Sequence, residues 1–163
     1  SRLWVEGTST VRGYECKATT FDARIGGDGV QAVLDGDKAV ATVELRVPAA
    51  QLDCSNGTMN NHMLRALKAS EHPEITFRLS SYELARAESG MQVKMNGTLD
   101  LGGVRKPIEI DAEARNAGGD LLRIVGTHEV RMTEFGLKPP TLMMGTMRVN
   151  ERVQVHFDLL LKS

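Results

Sequence analysis

Four histidines, two cysteines and twenty-one carboxylates are the side chains of this 163-residue chain with the most chemistry to offer. His128 keeps phase with Ile124, Val130 and Met132 along an alternating segment, so it points inward if that segment is a strand. An inward imidazole can anchor the polar end of a ligand or act as a general base; it can equally be a core histidine held by a structural partner. The other three do not converge on it. His62 lies by a short helical segment, His72 precedes Pro73, and His156 falls on a polar strand face. That scatter argues against a metal site, and neither a metal nor a cofactor is expected. Cys16 and Cys54 are 38 residues apart and form no C-x-x-C pair, which leaves a structural disulfide, two unrelated buried thiols or reactive thiols. A disulfide there would add about 4 kcal/mol and imply an oxidising compartment. The G-x-S-x-G, H-E-x-x-H, G-x-x-x-x-G-K and G-x-G-x-x-G signatures are absent, and Asp and Glu alternate with Lys and Arg as on a solvated exterior.

The elements that must position these groups are strands. Ala39, Ala41, Val43, Leu45 and Val47 alternate with polar residues, as do Ile75, Phe77 and Leu79, and then Met91, Val93, Met95, Leu99 and Leu101. Past a Gly102-Gly103 turn the apolar set moves to Val104, Ile108, Ile110, Ala112 and Ala114, which predicts a hairpin. Leu122, Ile124, Val130 and Met132 share one face of the next strand, and Val149, Val153, Val155, Phe157, Leu159 and Leu161 share one face of the last. Leu3–Thr8 and Lys17–Ile25 have strand character too. The only helix expected is short: Thr58 caps it, Met59, Met63, Ala66 and Leu67 recur at helical spacing, and Pro73 lies beyond. Between the last two long strands, the Phe135–Met147 loop offers Leu142, Met143, Met144 and Met147 as soft apolar surface, either for a ligand or as a plug for the core.

About eight strands, each apolar on one face, predict an all-β fold: an antiparallel, eight-stranded, lipocalin-like β-barrel with one short helix, occupying residues 1–163 as a single domain. A barrel of that size is either filled by its own side chains or holds one slender ligand. With 41% hydrophobic and 25% charged residues the chain is ordinary for a globular protein, and a net charge of −1 removes the drive for nucleic-acid binding. The same balance is compatible with a monomer or a homodimer. No apolar run approaches the roughly 20 residues of a membrane-spanning helix. No signal peptide is visible, and an opening Ser in place of Met reads as a processed or trimmed product.

Several strings, taken together, resemble one family. They are Trp4 followed by Gly7-Thr8-Ser9-Thr10-Val11-Arg12; Val47-Pro48 with Leu52-Asp53; Met63-Leu64-Arg65-Ala66-Leu67 followed by His72-Pro73-Glu74-Ile75-Thr76-Phe77; Gly97-Thr98-Leu99 through Arg105-Lys106-Pro107; and Phe135-Gly136. The combination is similar to the YceI family, small periplasmic or secreted proteins of lipocalin-like architecture that bind polyisoprenoid chains. The cysteine pair and the Lys138-Pro139-Pro140-Thr141 loop look like an exported subgroup, which implies a disulfide between Cys16 and Cys54. The family carries no shared catalytic set. The leading expectation is a non-enzymatic barrel that binds or transports a long apolar lipid such as a polyisoprenoid, an isoprenoid quinone or a fatty chain. Phe77, Met95, Ile110, His128, Met132, Met143 and Phe157 are expected among its lining. Its rivals are a closed barrel without ligand, acting as a stress-related or structural partner through its surface, and an enzyme using His128 as base.

Overall fold

The structure is a computed structural model that describes residues 1–26, 33, 42–88, 90–119, 121–142 and 145–162. Within them the alternating segments form eleven strands: β1 (Arg2–Ser9), β2 (Gly13–Ala18), β3 (Asp22–Gly26), β4 (Thr42–Pro48), β5 (Leu52–Asp53), β6 (Glu74–Ala87), β7 (Gly90–Leu101), β8 (Val104–Asn116), β9 (Leu121–Arg131), β10 (Thr141–Leu142) and β11 (Met147–Lys162). One α-helix, α1 (Gly57–Ala66), follows β5. The strands pair antiparallel in the order β3-β4-β6-β7-β8-β9-β11-β1-β2-β5, with β10 added to β11. The strand expected from Ala39 is seen from Thr42 onward; Ala39 to Ala41 lie outside the described residues.

Two expectations need correction, the eight-strand count and the closed barrel. Lys17–Ile25 is not one strand. At Thr19 the backbone N–H donates to the Gln51 carbonyl (2.9 Å) and the hydroxyl to Gln51 Oε1 (2.8 Å), which draws the chain off the β1–β2 ladder. The segment therefore splits into β2, next to β1, and β3, which pairs with β4 at the opposite edge of the sheet. The two-residue strands β5 and β10 make up the rest of the difference. Nor does the ladder close among the described residues: β3 and β5 stand at its two ends, and a strand as short as β5 offers β3 little to pair with. The sheet is a curled half-barrel. Its edges stay near one another because Thr19–Phe21, all that separates β2 from β3, can bridge at most about 14 Å from Ala18 to Asp22.

Local chemistry explains the remaining turns. The β7–β8 hairpin turns on Gly102 and Gly103, whose φ values of +59° and +83° suit the two-residue loop that matches strand twist. Ser80 is bulged out of the β6–β7 register, so Phe77 and Leu79 face in before it and Tyr82 and Leu84 after it. Helix α1 is capped by Asn56, not Thr58: Asn56 Oδ1 accepts the Met59 N–H at 3.1 Å, and Met59 and Met63 are buried. No helix among the described residues is long and apolar enough to cross a membrane.

The inner face carries two large apolar clusters, and a third, small one joins Met59 and Met63 of α1 to Val149. Of the large ones, one contains Leu3, Val33, Tyr82, Leu122 and Leu161; the other contains Ala49, Leu67, Leu101, Phe135 and Leu137. The first part of the Phe135–Met147 loop thus packs as a plug, through Phe135 and Leu137. Arg and carboxylate side chains pair on the outer face, as in the Arg123–Asp158 contacts at 2.9 and 2.6 Å from Nε and the terminal guanidinium nitrogen.

Candidate functional site

Between the two large clusters lies a cavity of about 170 Å³. That is close to the roughly 150 Å³ of an apolar cavity known to stay dry and accept benzene. Its walls come from nearly every long strand: Phe77 from β6, Met95 and Leu99 from β7, Ile108 and Ile110 from β8, His128 and Val130 from β9, Val153, Val155 and Phe157 from β11. Met63 of α1 and Met132, first residue of the 3-10 turn Met132–Phe135, complete one side. Every described lining side chain except His128 is apolar.

Two glycines shape this space. Phe77 lies over Gly97 and Phe157 over Gly126, so closely that a Cβ at either glycine would fall 2.5 Å from the terminal ring carbon. The rings flatten onto the sheet and leave room beside them. Met63, Met95 and Met132 are unbranched and adaptable, which allows the lining to repack around a guest.

Phe77, Met95, Ile110, His128, Met132 and Phe157, expected among the lining of a lipid-binding barrel, all line this one cavity. Met143 lies outside the described residues. Ile108, Val153, Val155 and Leu99 are lining residues that were not singled out, although each shares the inward phase of one that was. Met63 was legible only as part of a helix, since nothing in its spacing says what α1 covers.

His128 is half-buried, and its ring makes no hydrogen bond to any described side chain. Burial lowers its pKa below the ordinary imidazole value, against the opposing pull of the Asp111 and Glu129 carboxylates. The other histidines stay apart. His156 stacks on Trp4 outside the sheet, with ring centroids 5.2 Å apart, and its Nδ1 lies 2.9 Å from Thr127 Oγ1. Cys16 and Cys54 form a disulfide.

The sequence profile of the YceI-like domain matches residues 4–161. The chain belongs to this family. No curated protein matches the sequence. Among solved structures, this YceI-like domain is similar to Burkholderia cenocepacia BcnA, with 16% identity, a TM-score of 0.75 and coverage of 98% of this chain and 94% of that one. It is also similar to a polyisoprenoid binding domain from Saccharophagus degradans implicated in plant cell wall breakdown, at 14% identity, TM-score 0.73 and coverage of 98% and 91%. The Campylobacter jejuni YCEI protein aligns at 21% identity and TM-score 0.69, over 91% of this chain and 84% of that one. At these identities the likeness is one of fold.

Proposed function

We propose that this YceI-like domain is a non-catalytic carrier of a long apolar lipid, a polyisoprenoid, an isoprenoid quinone or a fatty chain, held against the inner face of the sheet. The observation that carries this reading is the cavity itself, walled by apolar side chains from β6 to β11 with one imidazole among them. Removing roughly 300 Å² of a guest's apolar surface from water supplies about 7.5 kcal/mol before the cost of association. A polyisoprenoid exceeds the present void, so binding requires the methionine-rich lining to move aside. His128 has no second polar side chain in the described lining with which to share acid–base work, which favours a binding role over a catalytic one. The disulfide supports an oxidising address, periplasmic or secreted.

Native mass spectrometry of protein purified without detergent, followed by lipid extraction, tests the proposal. The expected result is a stoichiometric long-chain adduct. Ile110→Trp, which fills the cavity from β8, should abolish the adduct while leaving the circular dichroism spectrum unchanged. A bare mass that stays bare after incubation with long-chain alcohols, quinones and fatty acids would favour the second reading, a filled barrel acting through its surface. That rival draws support from the packed clusters at both ends of the cavity.

A further inference from the structure

β8 and β9 pair from Asn116↔Leu122 to Ala112↔Gly126, and there their ladder stops, although β8 reaches back to Val104 and β9 runs on to Arg131. Each strand keeps its other neighbour beyond that point. Ile110 and Ile108 remain opposite Met95 and Gly97 of β7, while His128 and Val130 remain opposite Val155 and Val153 of β11. The sheet is therefore forked. In a continued register Ile110 would face His128 and Ile108 would face Val130; instead these residues line the cavity on either side of an unpaired seam.

The seam is more open than either end of the interior. Ile108, Ile110 and His128 are partly buried and Val130 is 7% exposed, whereas Leu122 and Leu161 at one end are 0% and 1% exposed, and Phe135 and Leu137 at the other are 3% and 2%. A guest that crosses the seam has no β8–β9 ladder hydrogen bond to break, unlike one that parts any fully paired strands.

Charge at the seam is uneven. Asp111 and Glu129 lie near enough to His128 to act on its protonation. Of the neighbouring cations, Lys94 stands opposite Asp111 in the β7–β8 register but reaches Glu109 at 3.6 Å, and Arg131 pairs with Glu134 and Glu151 at 3.5 and 3.3 Å. Lys106 sits over the Phe135 ring, four residues along β8 from Ile110 and so about 13 Å down the strand, beyond the screening length at physiological salt.

We infer that the β8–β9 fork is the mouth of the cavity, and that a bound lipid lies with its tail inward and an uncharged polar head at His128, anionic heads being turned away by Asp111 and Glu129. The inference rests on the lipid-carrier reading above. A neutral imidazole offers one donor and one acceptor, which suits a hydroxyl or carbonyl head; a carboxylate or phosphate would meet two like charges.

Two measurements on the intact chain test it. A long-chain alcohol with a diazirine beside its hydroxyl carbon should, on irradiation, label peptides within residues 104–111 and 127–131. Labelling confined to residues 49–67, 116–122 or 132–137 overturns the placement. Hexadecanol and palmitate should then compete against a fluorescent apolar probe, the alcohol binding on the order of tenfold more tightly at low salt. Asp111→Asn with Glu129→Gln should narrow that gap several-fold by improving palmitate; a gap that the double substitution leaves unchanged overturns the selection by charge. If alcohol, acid and quinone all fail to bind, the carrier reading falls with it, whereas binding with label at the ends refutes the fork alone.

Discussion

An imidazole on an otherwise apolar wall carries a thermodynamic signature that can be read without any ligand. Burial depresses the His128 pKa in the folded protein, and Asp111 and Glu129 offset that only in part. Below the unfolded value near 6.5, the unfolded chain takes up a proton that the folded chain resists, so stability falls as pH drops from about 7 toward the folded pKa. Carboxylates held low by arginine hydrogen bonds, Asp158 and Glu113 among them, work in a different window: their contribution is present above the unfolded carboxylate range and is lost as pH falls through their folded pKa values, below about 4. His128→Leu removes the first effect and leaves the second. In urea titrations the variant should gain stability relative to the parent at pH 5.5 and lose that advantage at pH 8. A difference that is the same at both pH values would mean that His128 titrates in the fold as it does in the unfolded chain.

Among the elements, the decisive feature is the point where β8 leaves β9. Gly126 stands there with no room to spare: a Cβ would lie 2.5 Å from the Phe157 ring and 2.8 Å from the Asp111 carbonyl oxygen. The ring can tilt, but the carbonyl belongs to a strand pinned by β7. Gly126→Ala should therefore cost about 1–3 kcal/mol, the range for overpacking a filled site, and Phe157→Leu in the same chain should recover part of it. Denaturant unfolding checks both, and a variant as stable as the parent would show that the fork relaxes freely. Alternation made most of this scale legible. It assigned the inward faces of β7, β8, β9 and β11 and the Gly102-Gly103 hairpin correctly, because each of those strands keeps one phase along its whole length. It could not show the fork, since β8 and β9 hold the same inward phase whether or not they pair. It also missed Tyr82, because the bulge at Ser80 reverses the phase, and the hop at Thr19–Phe21, across which the inward set moves from the even positions Cys16 and Ala18 to the odd positions Phe21, Ala23 and Ile25. The cavity lining was readable to the same extent and for the same reason: Ile110 and Phe157 follow from phase, whereas Met63 depends on where α1 docks.

For the molecule as a whole, the question is what holds a half-barrel curled when its ladder does not close. Cys16 and Cys54 continue the β2–β5 register, in which Lys17 faces Asp53 and Ala18 faces Leu52, so the disulfide acts as the next rung of that edge. It fastens a two-residue edge strand that could scarcely hold itself in place. The 38-residue span it closes also contains β3 and β4, which form the opposite edge. One covalent ring therefore includes both end strands of the described ladder and the three residues that carry the chain across the gap between them. In the chain-entropy account a ring of this length is worth about 4 kcal/mol, a large share of the 5–15 kcal/mol typical of a whole domain. Cys16→Ala with Cys54→Ala should lower stability by about 3–4 kcal/mol in urea unfolding, and reductant should have the same effect on the parent while leaving the double variant unchanged. Because the β8–β9 seam lies far along the sheet from this edge, its ladder order is set by β7 and β11 instead. Hydrogen exchange should accordingly rise in β2, β3 and β5 of the double variant and stay near the parent's level in β8 and β9. Uniform acceleration across all strands would show that the ring stabilises the sheet globally, through the unfolded chain, with no particular hold on its edges.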